Sequence, residues 1–366
     1  MRIICIHQSA ELYGSDRSFL QVIKYLKLTN KFSEICVVVP CQGLLINELL
    51  KIGVSVKIIK LTVISKSQLK KFQFTKVFSP LFLLRKKLTF FSKFDIIYVN
   101  TSVILDFYLL SPFLHGKKII HIREIPNFYI SNILSYLCKF SNAEIIFNSL
   151  STKNAFALFD NTHVIHNAFE GFNKVLNDKI INDHHSLNLL LIGRINNWKG
   201  QDFALDALSK LNQNENVVLK IIGSPFKGNE YILDELKEKV TKLNLQDKVT
   251  FIPFMVDTYL EFDWADVIII PSLKPEPFGR IAIEGMSLKK AVIASNHGGL
   301  TEIISHNISG FLFTPGNVTE FVSYVRQYYN DRELLKIHGF NAYDIFTEKF
   351  SVAKMHESLD KVFTIN

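Results

Sequence analysis

Apolar and polar positions along this chain fall into two alternating series. In the first half, short apolar runs predict strands at Arg2–Gln8, Glu34–Pro40, Ser55–Leu61, Phe94–Asn100, Lys117–Arg123, Ala143–Asn148 and His163–His166. Between them, helical periodicity predicts Ser15–Leu28, Leu44–Ile52, Val103–Phe113, Ile130–Phe140 and Thr152–Phe159. A polar, irregular stretch from Gly171 to Ser186 reads as a linker. The second series has strands at Leu187–Ile192, Val217–Ile222, Val249–Pro253, Asp266–Ile270, Ala291–Ser295 and Phe311–Phe313. Its helices are predicted near Gln201–Leu211, Tyr231–Leu243, Arg280–Leu288, Val318–Asn330 and Arg332–Tyr343, with a last helix near Val352–Phe363. Apolar runs alternating with helices argue parallel, doubly wound α/β sheets. A chain of 366 residues suffices for two such domains. The expected boundaries are 1–170, a linker 171–186, a second domain 187–345, and a C-terminal segment 346–366.

Chemistry concentrates in the second series. Pro271 to Glu284 joins the strand Asp266–Ile270 to a helix through a loop containing Pro277 and Gly279. Glu276 lies on that loop and Glu284 about one turn inside the helix, so both can line one pocket. Free N–H groups at a helix start attract anions, phosphate above all. Amides plus two carboxylates suit a phosphorylated ligand that carries hydroxyls, such as a nucleotide sugar. Glu276 and Glu284, in a Glu-Pro-Phe-Gly setting, resemble the E-x7-E motif of retaining GT-B glycosyltransferases. They are most similar to those of family 4, the glycosyl transferases group 1. The downstream run Asn296-His297-Gly298-Gly299-Leu300-Thr301-Glu302 and the strand context strengthen the match. The plainer reading is a capped helix with two solvated glutamates.

This resemblance implies the GT-B fold, two Rossmann-like domains facing across a cleft, with the last helix packing back on the first domain. It assigns Glu284 to ribose hydroxyls and Glu276 to hydroxyls of the transferred sugar. The amides of Phe278, Gly279 and Arg280 would meet phosphate or sugar. Gly193-Arg194 and Lys199-Gly200 match the family's G-R-x4-K-G element, where Arg194 and Lys199 offset the charge that grows on the leaving diphosphate. Gly223 and the Pro253-Phe254 turn would line the base pocket, and Gly298-Gly299 would allow close backbone approach. In the first domain, Gly14-Ser15 stands where the family has a Gly-Gly pair, and an ordinary strand-to-helix turn explains it equally well. His121, Arg123 or Glu124, at the end of the fifth strand, would stand near the transferred sugar; a packed strand histidine is the alternative for His121. Ile165-His166-Asn167-Ala168-Phe169 resembles the family's Pro-Asn-Gly-Val turn, with Asn167 structural.

Composition narrows the setting. Net charge is +8, and Lys51–Phe94 holds eleven Lys or Arg, no Asp or Glu, and interleaved phenylalanines. That segment suits an anionic membrane surface; core packing with a solvated basic face is the alternative, and nucleic acid ranks well below both. Cys5, Cys36, Cys41 and Cys138 show no CxxC spacing and read as reduced, buried thiols. The first apolar run is too short for a signal peptide, and no long charge-free apolar stretch occurs, so a cytoplasmic protein, peripheral on the inner face of the membrane, is expected. Adjacent His184-His185 gives no metal-ligand spacing. No metal or cofactor is expected, with a nucleotide-diphosphate sugar as donor substrate and a glycan or lipid-linked acceptor. The sequence also accommodates three other readings: a non-catalytic scaffold that binds nucleotide sugar or glycan, a glycoside hydrolase using Glu276 and Glu284, and a sugar-nucleotide epimerase.

Overall fold

The computed structural model describes residues 1–63, 83–156, 161–172 and 186–364. The chain divides into two compact units, Met1–Ala168 with Met355–Asn366, and Phe169–Lys354. Most of the expected linker, and the middle of the basic segment, lie outside the described residues.

The first unit is a seven-stranded parallel sheet ordered β3-β2-β1-β4-β5-β6-β7. Its strands are β1 (Arg2–His7), β2 (Glu34–Val39), β3 (Ser55–Ile58), β4 (Ile96–Asn100), β5 (Lys117–Ile122), β6 (Glu144–Phe147) and β7 (Thr162–Val164). The strand order reverses between β1 and β4, the switch point of a doubly wound sheet. Strand β4 is buried throughout, as expected for a strand covered on both faces. The first long helix, Gly14–Leu28, includes Gly14 as its first residue.

The C-terminal residues complete this unit. Tyr25 Oη donates to Asp360 Oδ1 at 2.8 Å, and Lys31 Nζ pairs with the same oxygen at 2.7 Å. Lys117 Nζ donates to the carbonyl of Val362 at 2.6 Å, while the Phe363 ring packs 5.5 Å from that of Tyr98. The expected segment 346–366 is therefore divided: a π-helical turn, Phe346–Phe350, belongs to the second unit, and Met355 onward to the first.

The second unit is a six-stranded parallel sheet ordered β10-β9-β8-β11-β12-β13. Its strands are β8 (Leu187–Ile192), β9 (Val217–Ile222), β10 (Val249–Ile252), β11 (Val267–Ile270), β12 (Ala291–Ser295) and β13 (Gly310–Phe313). Alternate residues feed two cores. Leu189, Val267, Ile269 and Ile293 pack on one face; Leu190, Ile268, Ile270 and Val292 pack on the other. All four β11 side chains are buried, and each such burial contributes about 1.5–3 kcal/mol. Two short helices, Tyr259–Trp264 and Leu300–Ile303, were not evident from periodicity.

The described end of the basic segment is packed. Helix Leu84–Phe91 buries Lys87 and Phe91, and the rings of Phe90 and Phe94 meet edge to face at 5.5 Å. Lys87 Nζ lies 2.7 Å from Asp106 Oδ1, a pair almost wholly out of solvent, and the Thr62 backbone N–H donates to the same carboxylate. These rings and this cation are therefore committed to the core and not to an outer surface. Cys5, Cys36 and Cys138 are buried thiols, but Cys41 is exposed, because it lies past the end of β2.

Removing one partner of a buried ion pair leaves the other charge uncompensated. Lys87→Met should therefore lower unfolding stability by about 3 kcal/mol in urea titration. A loss below about 1 kcal/mol would show that the pair contributes little.

Candidate functional site

The second unit gathers its candidate side chains at the carboxyl ends of β8, β9 and β11, where ligands bind in open α/β sheets. After β8, the loop from Gly193 is shaped by Asn196, whose Oδ1 accepts from the N–H groups of Trp198 at 3.1 Å and Lys199 at 3.0 Å. Gly200 follows with φ +82°; a Cβ there would lie 1.9 Å from the Pro271 carbonyl oxygen. The glycine thus lets the loop after β8 lie against the end of β11. Lys199 Nζ then reaches Glu276 Oε1 at 2.6 Å. Ser272 Oγ donates to the same oxygen at 2.5 Å. Arg194 stacks on the Phe226 ring at 3.8 Å, and its carbonyl accepts from Gln201 Nε2 at 3.2 Å.

Glu276 and Glu284 are both buried. Glu284 Oε1 pairs with Arg280 Nη2 at 2.7 Å across one helical turn. Arg280 Nη1 is buried with no hydrogen-bond partner among the described residues. Gly279 starts the helix Arg280–Met286 with φ +112° and no side-chain cap, so its first-turn amides are not occupied by a capping side chain.

Glu276 is held from behind by backbone. Its carbonyl accepts from Gly299 N–H at 2.8 Å, and a Cβ on Gly298 would sit 2.4 Å from that same oxygen. A Cβ on Gly299 would sit 2.5 Å from Phe278 Cα. His297 Nε2 lies 2.8 Å from the Ser272 carbonyl; because a carbonyl only accepts, Nε2 carries the proton. Burial holds His297 below the usual histidine range, partly offset by that hydrogen bond and by Glu276. Gly223 has φ +154°, and a Cβ would fall 1.9 Å from the Gly193 carbonyl oxygen, which ties the ends of β8 and β9 together. The Phe254 N–H donates to Ser224 Oγ at 3.0 Å.

At the carboxyl end of the first unit's sheet, parallel register sets His7 beside Asn100 and Asn100 beside His121. Proton directions along this row are fixed by Arg123, since a guanidinium only donates. Arg123 Nε donates to Asn100 Oδ1 at 2.6 Å, and Nη2 lies 3.2 Å from His121 Nδ1. Asn100 therefore turns Nδ2 toward His7 Nδ1 at 2.9 Å, and His7 Nε2 donates to Asp16 Oδ1 at 2.6 Å. Arg123 Nη1 donates to Asn167 Oδ1. Asp16 also accepts from Ser9 and from the N–H of Leu12, which takes the left-handed φ of 74°. Burial raises the Asp16 carboxyl, but the hydrogen bonds and His7 outweigh it and hold it low.

The three alternatives at the end of β5 thus have distinct places. His121 is buried, with Nδ1 toward Arg123 and Tyr98 Oη and with Nε2 unpartnered among the described residues. Arg123 ties Asn100 to Asn167. Glu124 accepts from the Ser102 N–H at 2.7 Å; burial raises its carboxyl despite Ser102 and Arg123. Gly14 lies in the first turn of its helix, two residues before Asp16. Motif spacing gave no role to Ser272, Phe226, Asn100 or Asp16. A usable signal was present for Asn100: β1, β4 and β5 are apolar runs that carry His7, Asn100 and His121 at neighbouring register positions near their carboxyl ends.

Comparison with known proteins identifies the class. Residues 174–344, most of the second unit, match the family described as glycosyl transferases group 1. The whole chain has the GT-B fold: the Anabaena protein HepE, solved with UDP and glucose, superposes with a TM-score of 0.82 at 23% identity, covering 99% of each chain. An uncharacterized glycosyltransferase of Methanocaldococcus jannaschii is 30% identical over 201 residues, 50% of each chain. The lipopolysaccharide 1,2-N-acetylglucosaminetransferase of Salmonella typhimurium is 31% identical over 155 residues, 40% of each chain. The chain spans about half or less of the length of the curated relatives it matches.

Two outcomes follow from this geometry. Burial and the Arg123 charge push His121 well below the ordinary histidine range. The unfolded chain then binds a proton that the folded chain refuses, so stability is full above about pH 6.5 and falls as pH drops below it. Imidazole nitrogen NMR should show neutral His121 with the proton on Nε2 at pH 5.5; a charged ring there would contradict the assigned network. Gly298→Ala should destabilise the protein by about 1–3 kcal/mol, since its φ is +64° and its Cβ would meet the Glu276 backbone. An unchanged melting temperature would show that the loop yields freely.

Proposed function

We propose that the protein is a retaining glycosyltransferase that moves a sugar from a nucleotide-diphosphate sugar to a hydroxyl acceptor in surface polysaccharide or glycolipid synthesis. The observation that carries this reading is the convergence of Lys199, Glu276 and Ser272 beside the uncapped start of helix Arg280–Met286. Cations and amides at one place suit a diphosphate, and the two carboxylates suit sugar and ribose hydroxyls. HepE was solved with UDP and with UDP-glucose, which makes a uridine donor the first to test. The Salmonella relative acts on lipopolysaccharide, which supports a glycolipid or glycan acceptor.

In this reading Arg194 and Lys199 stabilise the charge that grows on the departing diphosphate, without a metal. Lys199 leaves Glu276 for the diphosphate as the donor enters, and Ser272 keeps the carboxylate in place. Glu276 then orients the transferred sugar, Glu284 the ribose, and the acceptor attacks from the face that the leaving group vacates. The departing phosphate takes the acceptor proton, so no protein nucleophile is needed and the protein contributes position and charge. A hydrolase would have no use for Arg194 and Lys199.

UDP, GDP, ADP, dTDP and CMP should be compared by thermal shift. A ligand at 100 times its dissociation constant adds about 2.7 kcal/mol, and one diphosphate, UDP first, should stand out. In an acceptor-dependent assay, Lys199→Ala and Arg194→Ala should each cut turnover roughly 10²–10³-fold while melting normally. Near-normal turnover in both would overturn these roles, and diphosphate binding without any transfer would favour a scaffold.

A further inference from the structure

Two aromatic rings in the second unit lie outside its packing. Phe226 is 48% exposed, and neither it nor Trp198 belongs to the two cores that cover the sheet. Each carries a cation of the candidate site on its face instead. The Arg194 guanidinium lies 3.8 Å from the Phe226 ring centroid, and the Lys199 ammonium 4.6 Å from that of Trp198. An aromatic face is the negative pole of the ring quadrupole, so it attracts a cation without neutralising it.

Backbone bonds fix where both rings stand. The loop after β9 runs beside the loop after β8: the Ile195 N–H donates to the Ser224 carbonyl at 3.2 Å, and Ile195 pairs with Pro225 in a parallel bridge. Pro225 locks one backbone dihedral just before the ring, and the Phe226 carbonyl accepts from the Asn229 N–H at 2.9 Å just after it. Trp198 is held on both sides. Its N–H donates to Asn196 Oδ1 at 3.1 Å, and its carbonyl accepts from the Leu273 N–H at 2.7 Å. Leu273 directly follows Ser272, so this ring is keyed to the loop that carries Glu276. All these bonds are made by backbone on the Trp198 and Phe226 side, and a change of either side chain leaves them in place.

Long flexible Arg and Lys side chains lose much rotamer freedom when they are ordered. A carboxylate can order them, but it then competes with any anion they are meant to bind. Lys199 shows that competition, with Nζ 2.6 Å from Glu276 Oε1. A ring orients the cation through its face and does not consume N–H donors, which a stacked guanidinium keeps in its own plane. We propose that Phe226 and Trp198 are positioning residues whose ring faces hold Arg194 and Lys199 in the orientation that meets the donor diphosphate. This deepens the donor-site reading given above and rests on it.

The test is calorimetric titration of the full chain with inorganic pyrophosphate, a probe that needs neither base nor sugar. Phe226→Leu should weaken its binding about three- to thirtyfold, while Phe226→Tyr, which keeps a ring, should stay within about twofold of the natural sequence. Trp198→Leu and Trp198→Phe should divide in the same way. Melting temperatures should hold, because both rings lie outside the cores; should Phe226→Leu fold poorly, the Trp198 pair carries the comparison. In NMR spectra, the Arg194 Nε–H should be shifted upfield by the Phe226 ring, return to its ordinary position in Phe226→Leu and remain shifted in Phe226→Tyr. Equal pyrophosphate binding by the folded leucine variants overturns the proposal and leaves the donor site standing. A loss seen with uridine and absent with pyrophosphate would make Phe226 a platform for the base, which also contradicts it. Failure of the natural sequence to bind pyrophosphate would remove the proposal and the donor-site reading together.

Discussion

A parallel sheet covered on both faces has no place for polar side chains except at its ends, and both units of this protein are built under that constraint. Strands such as Ile96–Asn100 and Val267–Ile270 are buried from end to end. Loops at their carboxyl ends must therefore carry all the chemistry, and must pack against one another tightly enough to keep water from the strand termini. In the second unit this is solved with backbone contact: Gly200 against Pro271, Gly223 against Gly193, and Gly298 against Glu276. None of these approaches tolerates a side chain.

The first unit solves the same problem with side chains. A buried row runs from Asp16 through His7 and Asn100 to Arg123, and the bonds that link it have fixed directions. Such a row is costly if one member is left unpaired, and well defined when all are satisfied. The second unit's charged pairs, Lys199 with Glu276 and Arg280 with Glu284, lie instead among glycine loops and an uncapped helix start. One end is thus a rigid lattice of internal bonds. The other presents cations and amides whose present partners a phosphorylated ligand could replace.

The sheets were legible in the sequence because a run such as Val267–Ile270 has only one stable home. Helices Tyr259–Trp264 and Leu300–Ile303 were not, since six or four residues are too few to establish a period. At the site, Arg194, Lys199, Glu276 and Glu284 stood out by spacing. Ser272 and Phe226 did not, because a lone serine or phenylalanine gains meaning only from what the fold sets beside it. The described end of the aromatic-basic segment 51–94 was ambiguous for a related reason. Composition cannot distinguish rings that fill a core, as Phe90, Phe91 and Phe94 do, from rings that face outward, as Tyr129 and Tyr136 do.

The first unit is assembled from two stretches of chain separated by the whole of the second. Tyr25, Lys31, Tyr98 and Lys117 each take a partner from Asp360, Val362 or Phe363. On the ribosome, the domain begun first would wait for the other to be made before its last contacts could close. Until then its underside would stay open, dependent on a segment not yet translated.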